Sequence, residues 1–154
     1  MTQALPQPPP SMLQTILKDK SRLLAALLYF EGFIETLAFF AAAMPQSWMA
    51  VTHRFLGLGE FPASPLLDYM IRSASLLYGL HGVLLIILAT DVQRFRPLII
   101  CNAASYLLAA GAFVLIDTTN QMPWWWTAGE VGSVIWLGTM IFWLLRLSPN
   151  DLGS

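Results

Sequence analysis

The stretch that most constrains this chain is DYMIRSASLLYGLHGVLLIILATD, residues 68–91, in which Arg72 and His81 are the only basic groups between two aspartates. About two dozen residues at about 1.5 Å each make a helix long enough to cross the roughly 30 Å hydrocarbon core of a bilayer. On a helical wheel Arg72, Ser75, Tyr78, Gly79 and Gly82 fall in one arc, and Leu76, Leu77, Leu80, Leu84 and Ile87 fill the opposite one. The first arc is expected to pack on other helices and the second to meet lipid, with His81 at the boundary. Ser75 and Gly79 have the small-xxx-small spacing that lets a second helix approach closely, and Gly82 extends the groove.

Three further apolar runs accompany it, at 22–43, 98–116 and 130–145. Composition agrees: the chain is 56% hydrophobic and only 11% charged, against roughly 25% charged in soluble domains. The first run follows Lys18, Lys20 and Arg22 and ends in Ala41–Ala43, which has the outline of a secretory signal. It is too long for one, and it carries Glu31 and Glu35 in its interior. The expected fold is therefore all-α, an integral membrane four-helix bundle with spans at about 22–43, 69–90, 98–116 and 130–145.

The flanks are read in the same way. Residues 1–21 are expected to be a cytoplasmic tail, disordered where Pro6, Pro8, Pro9 and Pro10 cluster, with a short surface helix beginning in 11–20. Residues 147–154 form a second cytoplasmic tail. In MPQSWMAVTHRFLGLGEFPASP, residues 44–65, Trp48, Met49, Val51, Phe55 and Leu56 recur at helical intervals, so a short interfacial helix is expected in the first outer loop. His53 reads as a solvated residue on its polar side. Lys18, Lys20, Arg22, Arg94, Arg96 and Arg146 fall on one side of the spans, which puts both termini in the cytoplasm of a multi-pass inner-membrane protein. Trp124, Trp125 and Trp126 then anchor the outer interface just before the fourth span.

Polar residues inside such spans are expensive, and they are the only handle on function. Glu31 and Glu35 share one helix face. Counting about 1.5 Å per residue places Asp68, Arg72, Asp117 and Glu130 within roughly 6 Å of the outer boundary. Glu35 and Tyr78 lie roughly 12 to 14 Å below it, and Glu31, His81 and Tyr106 near the midplane. The candidate ligand-binding cluster is accordingly Glu31, Glu35, Arg72, Tyr78, His81, Tyr106, Asp117 and Glu130. Within it Arg72 is expected to pair with Glu35, Glu130 or Asp117, and Glu31 to bond His81, Tyr78 or Tyr106. In the third span Asn102, Ser105, Tyr106, Ala109, Phe113 and Asp117 share a face. In the fourth, Glu130, Ser133, Leu137, Gly138 and Ile141 mark the inward side.

Several chemistries are excluded or unsupported. The chain has no Gly-rich phosphate loop, no H-E-x-x-H, no C-x-x-C and no G-x-S-x-G. One cysteine, Cys101, supports neither a disulfide nor a metal cluster, so no metal site is assigned. Two histidines, one in a loop and one in mid-span, do not make a haem site. A net charge of −1 without a basic patch argues against nucleic acid. The expected partners are membrane lipid and either further copies of the chain or a larger membrane complex. No cofactor is assigned beyond a bound lipid or quinone. The reading that follows is a non-catalytic bundle that binds a lipid- or quinone-like amphiphile or serves as a subunit. The alternative is a lipid- or quinone-directed enzyme using Glu31 and Glu35 for proton transfer.

Four short helices, Arg72 early in the second, the basic turn DVQRFRP, the outer loop from Asp117 to Pro123 and Glu130 opening the fourth together resemble small bacterial membrane proteins of the DoxX-like kind. The blocks SWMAVTHRFLGLGE, RSASLLYGLHG and MPWWWTAGE are similar to those of uncharacterised members of that group. The resemblance covers about residues 22–146. It implies a membrane subunit of a quinone-linked oxidoreductase, with a complex partner and with no catalytic residue carried over to this chain.

Overall fold

The computed structural model describes residues 12–146 except 63, and side chains from residue 19 onward. The tails expected at 1–11 and 147–154 lie outside the described residues. The described residues form six helices and no strand: α1 Met12–Thr36, α2 Ala38–Ala43, α3 Gln46–Phe55, α4 Pro65–Thr90, α5 Arg96–Thr119 and α6 Trp124–Leu145. Four segments are long and apolar enough to cross a membrane: Asp19–Ala43, Pro65–Thr90, Arg96–Thr119 and Trp124–Leu145.

Prolines set most of the boundaries. Pro65 opens α4 and Pro97 sits in the first turn of α5, where a missing N–H costs nothing. Pro45 and Pro123 precede α3 and α6. The fourth span therefore begins at Trp124, not near 130 as the hydropathy suggested, and the three tryptophans form its first turn. The N-terminal surface helix expected to stand apart in 11–20 is instead continuous with the first span from Met12. That span is interrupted near its far end. Thr36 Oγ1 donates to the Gly32 carbonyl at 2.6 Å, and the Leu37 N–H is shared between the carbonyls of Phe33 and Ile34. A hydroxyl bonded back into its own helix in this way bends the ladder, and α2 restarts at Ala38.

The chain divides into two compact units, Leu27–Thr90 and a second formed by Met1–Ala26 with Asp91–Ser154. In the first, the last part of α1 and α2 run antiparallel to α4. Gly32 and Gly82 form the crossing: a Cβ on Gly82 would stand 2.6 Å from the Gly32 carbonyl oxygen and 2.6 Å from the Thr36 nitrogen. Phe39 lies over Gly79 in the same groove. The wheel's division of α4 holds: Gly79, Gly82, Leu85, Leu88 and Ala89 are buried, and Leu76, Leu77, Leu80, Leu84 and Ile87 are exposed. Tyr78 departs from it, standing half exposed at the rim.

In the second unit α5 packs on α6. Gly138 is the close point, a Cβ there falling 3.0 Å from the Ala103 carbonyl oxygen and from the Leu107 side chain. The buried line of α5 is Ile99, Ala103, Ala110 and Asp117, and that of α6 is Gly138, Ile141, Leu144 and Leu145. Ser133, expected on the inward side of the fourth span, and Ser105 are exposed and bond to carbonyls of their own helices, Glu130 at 2.8 Å and Cys101 at 2.9 Å. A serine satisfied by its own helix does not need a neighbour. At the other end Lys20 sits 4.2 Å over the Trp143 ring, and Arg96 donates to the Leu145 carbonyl at 3.3 Å.

Only 17% to 28% of each span's most apolar window is buried within the protein. Leu77, Leu108 and Leu115 are each at least 65% exposed. Apolar surface on that scale is stable in lipid and not in water, which is the condition of a multi-pass membrane protein.

Candidate functional site: polar groups inside the spans

Glu35 is the next-to-last residue of the first span's main helix, and His81 lies more than two turns inside either end of α4. Because Gly32 and Gly82 let the two backbones touch, side chains a few positions away are brought into reach. Glu35 Oε2 and His81 Nδ1 share a hydrogen bond at 2.6 Å. That is a short contact for an N···O pair. Both side chains keep an open flank, 31% exposed for His81 and 17% for Glu35. Tyr78, one turn from His81 on α4, is 50% exposed. Glu31, one turn from Glu35, is 6% exposed and points into the protein. The result is a donor and acceptor pair that can be reached from the side, set within an otherwise apolar surface.

Arg72 is used differently from the expectation. Its Nε donates to Asp68 Oδ2 at 2.9 Å, its Nη1 to the Ala42 carbonyl at 2.8 Å and its Nη2 to the Met44 carbonyl at 3.1 Å. The last two are carbonyls at the C-terminal end of α2, which have no partner within the helix. A cation there is favoured by the helix dipole as well. Arg72 thus ties α2 to α4, and all three guanidinium nitrogens are engaged. It does not pair with Glu35, Glu130 or Asp117. Asp68 was missed as its partner, although acid before base at i, i+4 is the favourable order on a helix.

Replacing Arg72 with leucine is expected to lower the thermal midpoint in detergent, because two helix-end carbonyls and Asp68 lose their donor at once. Lysine, a single point donor, is expected to recover only part of the loss. An unchanged midpoint in Arg72→Leu, followed by circular dichroism, would remove the tie from the account.

No protein-family model, curated protein or solved structure matches this chain. The site is therefore read from its own geometry.

The eight candidate residues separate by unit. Glu31, Glu35, Arg72, Tyr78 and His81 belong to the first, and Tyr106, Asp117 and Glu130 to the second. In the second, Asp117 is 4% exposed and its Oδ2 has no hydrogen-bond partner among the described residues. Glu130 is half-buried on α6. Tyr106 is half-buried on α5. No group of three or more His, Cys, Asp or Glu side chains with metal-site geometry occurs among the described residues. His53, read as solvated, is half-buried. Its Nδ1 pairs with the Gly59 carbonyl at 3.1 Å, and its ring stands edge-on to Phe61 at 5.5 Å. That contact fastens the turn after α3, where Gly57 and Gly59 adopt positive φ.

Proposed function

We propose that the protein is a small multi-pass membrane protein of a bacterial inner membrane. It holds the polar head of a lipid- or quinone-like amphiphile at Glu35 and His81, without turning that molecule over. The observation that carries this reading is the 2.6 Å contact between two side chains that remain 17% and 31% exposed inside apolar spans. A pair serving only to lock two helices gains by being sealed from its surroundings. An open flank with a carboxylate, an imidazole and the neighbouring Tyr78 suits a ligand whose carbonyl or hydroxyl meets them while its chain lies along the exposed Leu77 and Leu80. The test is gentle extraction followed by identification of copurifying lipids and quinones. One amphiphile species at near one per chain supports the reading. A random sample of the host membrane counts against it.

A second reading, a subunit of a homo-oligomer or larger membrane complex, is favoured by Gly111, Gly129 and Gly132. A Cβ at any of the three would meet nothing within 4 Å. Small residues left open on spans are the surfaces at which helices of another subunit pack. The likeness to DoxX-like proteins points the same way. Native mass measured in mild detergent separates the two: a stable heteromer places the function in the partner, and a liganded monomer keeps it here.

Orientation follows from the distribution of Lys and Arg, both termini facing the cytoplasm. A cysteine placed at Thr127 in a Cys101→Ala background is expected to react with an impermeant maleimide from outside intact cells. Labelling only after lysis would reverse the topology.

A further inference from the structure

The second unit carries its positive charge at one end. Lys20 and Arg22 lie on α1, Arg94 in the turn before α5, Arg96 at the start of α5 and Arg146 just after α6. Contacts between these elements bring the five together. Lys20 Nζ stands 4.2 Å over the Trp143 ring, so α1 meets the end of α6. Gln93 Nε2 donates to Ser21 Oγ at 3.0 Å, which sets the turn carrying Arg94 against the neighbour of Arg22. Arg96 Nη2 donates to the Leu145 carbonyl at 3.3 Å, next to Arg146. Each of the five cations is thus a contacting residue or the immediate chain neighbour of one.

Few acids oppose them. Among the described residues Asp19 and Asp91 share this end, and Asp91 Oδ1 accepts the Arg94 backbone N–H at 3.0 Å. The helices themselves hold the other described acids away. Glu31 and Glu35 lie about 14 and about 20 Å along α1 from Arg22. Asp68 is about 33 Å along α4 from Thr90, and Glu60 precedes that helix. Asp117 is about 31 Å along α5 from Arg96, and Glu130 about 22 Å along α6 from Leu145. Arg22, Arg94 and Arg146 are exposed. Apolar surface adjoins the charges: Leu23, Leu98 and Trp143, one on each of the three helices, are 57%, 54% and 54% exposed. A soluble anion would use the charges and leave that surface bare. An anionic phospholipid matches both, its phosphate meeting guanidinium and ammonium groups while its acyl chains lie along the spans. The planar fork of arginine, which supplies four of the five cations, fits phosphate oxygens two at a time.

We propose that Lys20, Arg22, Arg94, Arg96 and Arg146 form a binding site for the head group of an anionic phospholipid at the cytoplasmic end of α5 and α6. The site is separate from Glu35 and His81 and does not rest on the amphiphile reading made for them. Charges this exposed are screened by salt, so the lipid exchanges with detergent and is read by titration, not by copurification.

The test uses the full-length protein in a mild, uncharged detergent at fixed low ionic strength. Phosphatidylglycerol, phosphatidylethanolamine or inorganic phosphate is added while the thermal midpoint is followed. Wild type is expected to show a saturable upward shift with phosphatidylglycerol, a smaller one with phosphatidylethanolamine and none with inorganic phosphate. Arg22→Gln and Arg94→Gln, which remove exposed charges, are expected together to weaken the apparent affinity for phosphatidylglycerol by tenfold or more. Arg54→Gln, which removes an exposed cation from α3, and Glu35→Gln are both expected to leave it unchanged, so the two sites fail independently. Equal shifts with the two lipids, or a loss in Arg54→Gln as large as in the double variant, would overturn the site. A shift with inorganic phosphate equal to that with phosphatidylglycerol would overturn the lipid as its occupant. If the double variant fails to fold, a salt series on wild type decides: the preference for phosphatidylglycerol is expected to fade as ionic strength rises, and a preference that salt leaves intact overturns the proposal.

Discussion

Gly82→Ala is expected to lower the thermal midpoint sharply and to part Glu35 from His81. The added methyl would sit 2.6 Å from the Gly32 carbonyl oxygen, 2.6 Å from the Thr36 nitrogen and 2.8 Å from the Thr36 hydroxyl. Two of the three are backbone atoms, which cannot turn aside, so α1 and α4 must separate along the whole crossing. Overpacking in a filled interior typically costs about 1 to 3 kcal/mol, and an obstacle made of backbone belongs at the upper end. Gly79→Ala is the internal comparison. There the added methyl meets only the ring of Phe39, at 2.6 to 2.8 Å. A half-buried ring can rotate away, and the loss is expected to be distinctly smaller. Gly111→Ala and Gly132→Ala meet open space and are expected to be neutral or slightly stabilising in a helix. Thermal unfolding of the four variants in one detergent checks the ranking. Equal losses at Gly82 and Gly79 would contradict the close backbone crossing.

The second large effect is on ligand occupancy. Glu35→Gln retains the size of the side chain but removes the charged acceptor that meets His81. Hydrogen bonds between membrane helices are worth on average about 0.6 kcal/mol and at most about 1.7, so stability is expected to change little. Occupancy by the amphiphile is expected to fall by about tenfold or more, equivalent to the loss of about 1.4 kcal/mol of binding. The two variants thus separate the functions of neighbouring residues. Gly82 lets the helices cross closely, and Glu35 with His81 carries the proposed binding. Lipid and quinone quantified per mole of protein, beside the thermal midpoint of the same preparations, reads both at once. A Glu35→Gln protein with full occupancy and a collapsed midpoint would make the pair a structural clasp.

Much of the fold is written in periodicity. The exposed stripe of Leu76, Leu77, Leu80, Leu84 and Ile87 and the buried Gly79 and Gly82 follow from one wheel, because a span with lipid on one flank must segregate its residues in that way. Element boundaries were partly hidden. Hydropathy alone passes over Trp124 to Trp126 as a loop, whereas Pro123 as the preceding cap makes them the first helical turn. Partner choice was the least legible. Arg72 was matched to distant acids by depth, but its donors found Asp68 on its own helix and the exposed carbonyls at the end of α2. Those carbonyls are open because the helix ends at Ala43, just before Pro45. The Glu35–His81 contact was equally hidden. Depth alone placed Glu35 above His81, and the register of a glycine-to-glycine crossing brings the two side chains together.

The most direct measurement is native mass spectrometry of the wild-type protein, Glu35→Gln and Arg72→Leu, each extracted from its own membrane under identical mild conditions. Wild type is expected to carry one amphiphile per chain. Arg72→Leu is expected to keep it despite a lower thermal midpoint, and Glu35→Gln to arrive bare and folded. A bare wild-type chain, or three proteins carrying the same lipid to the same extent, would contradict a binding site at Glu35 and His81.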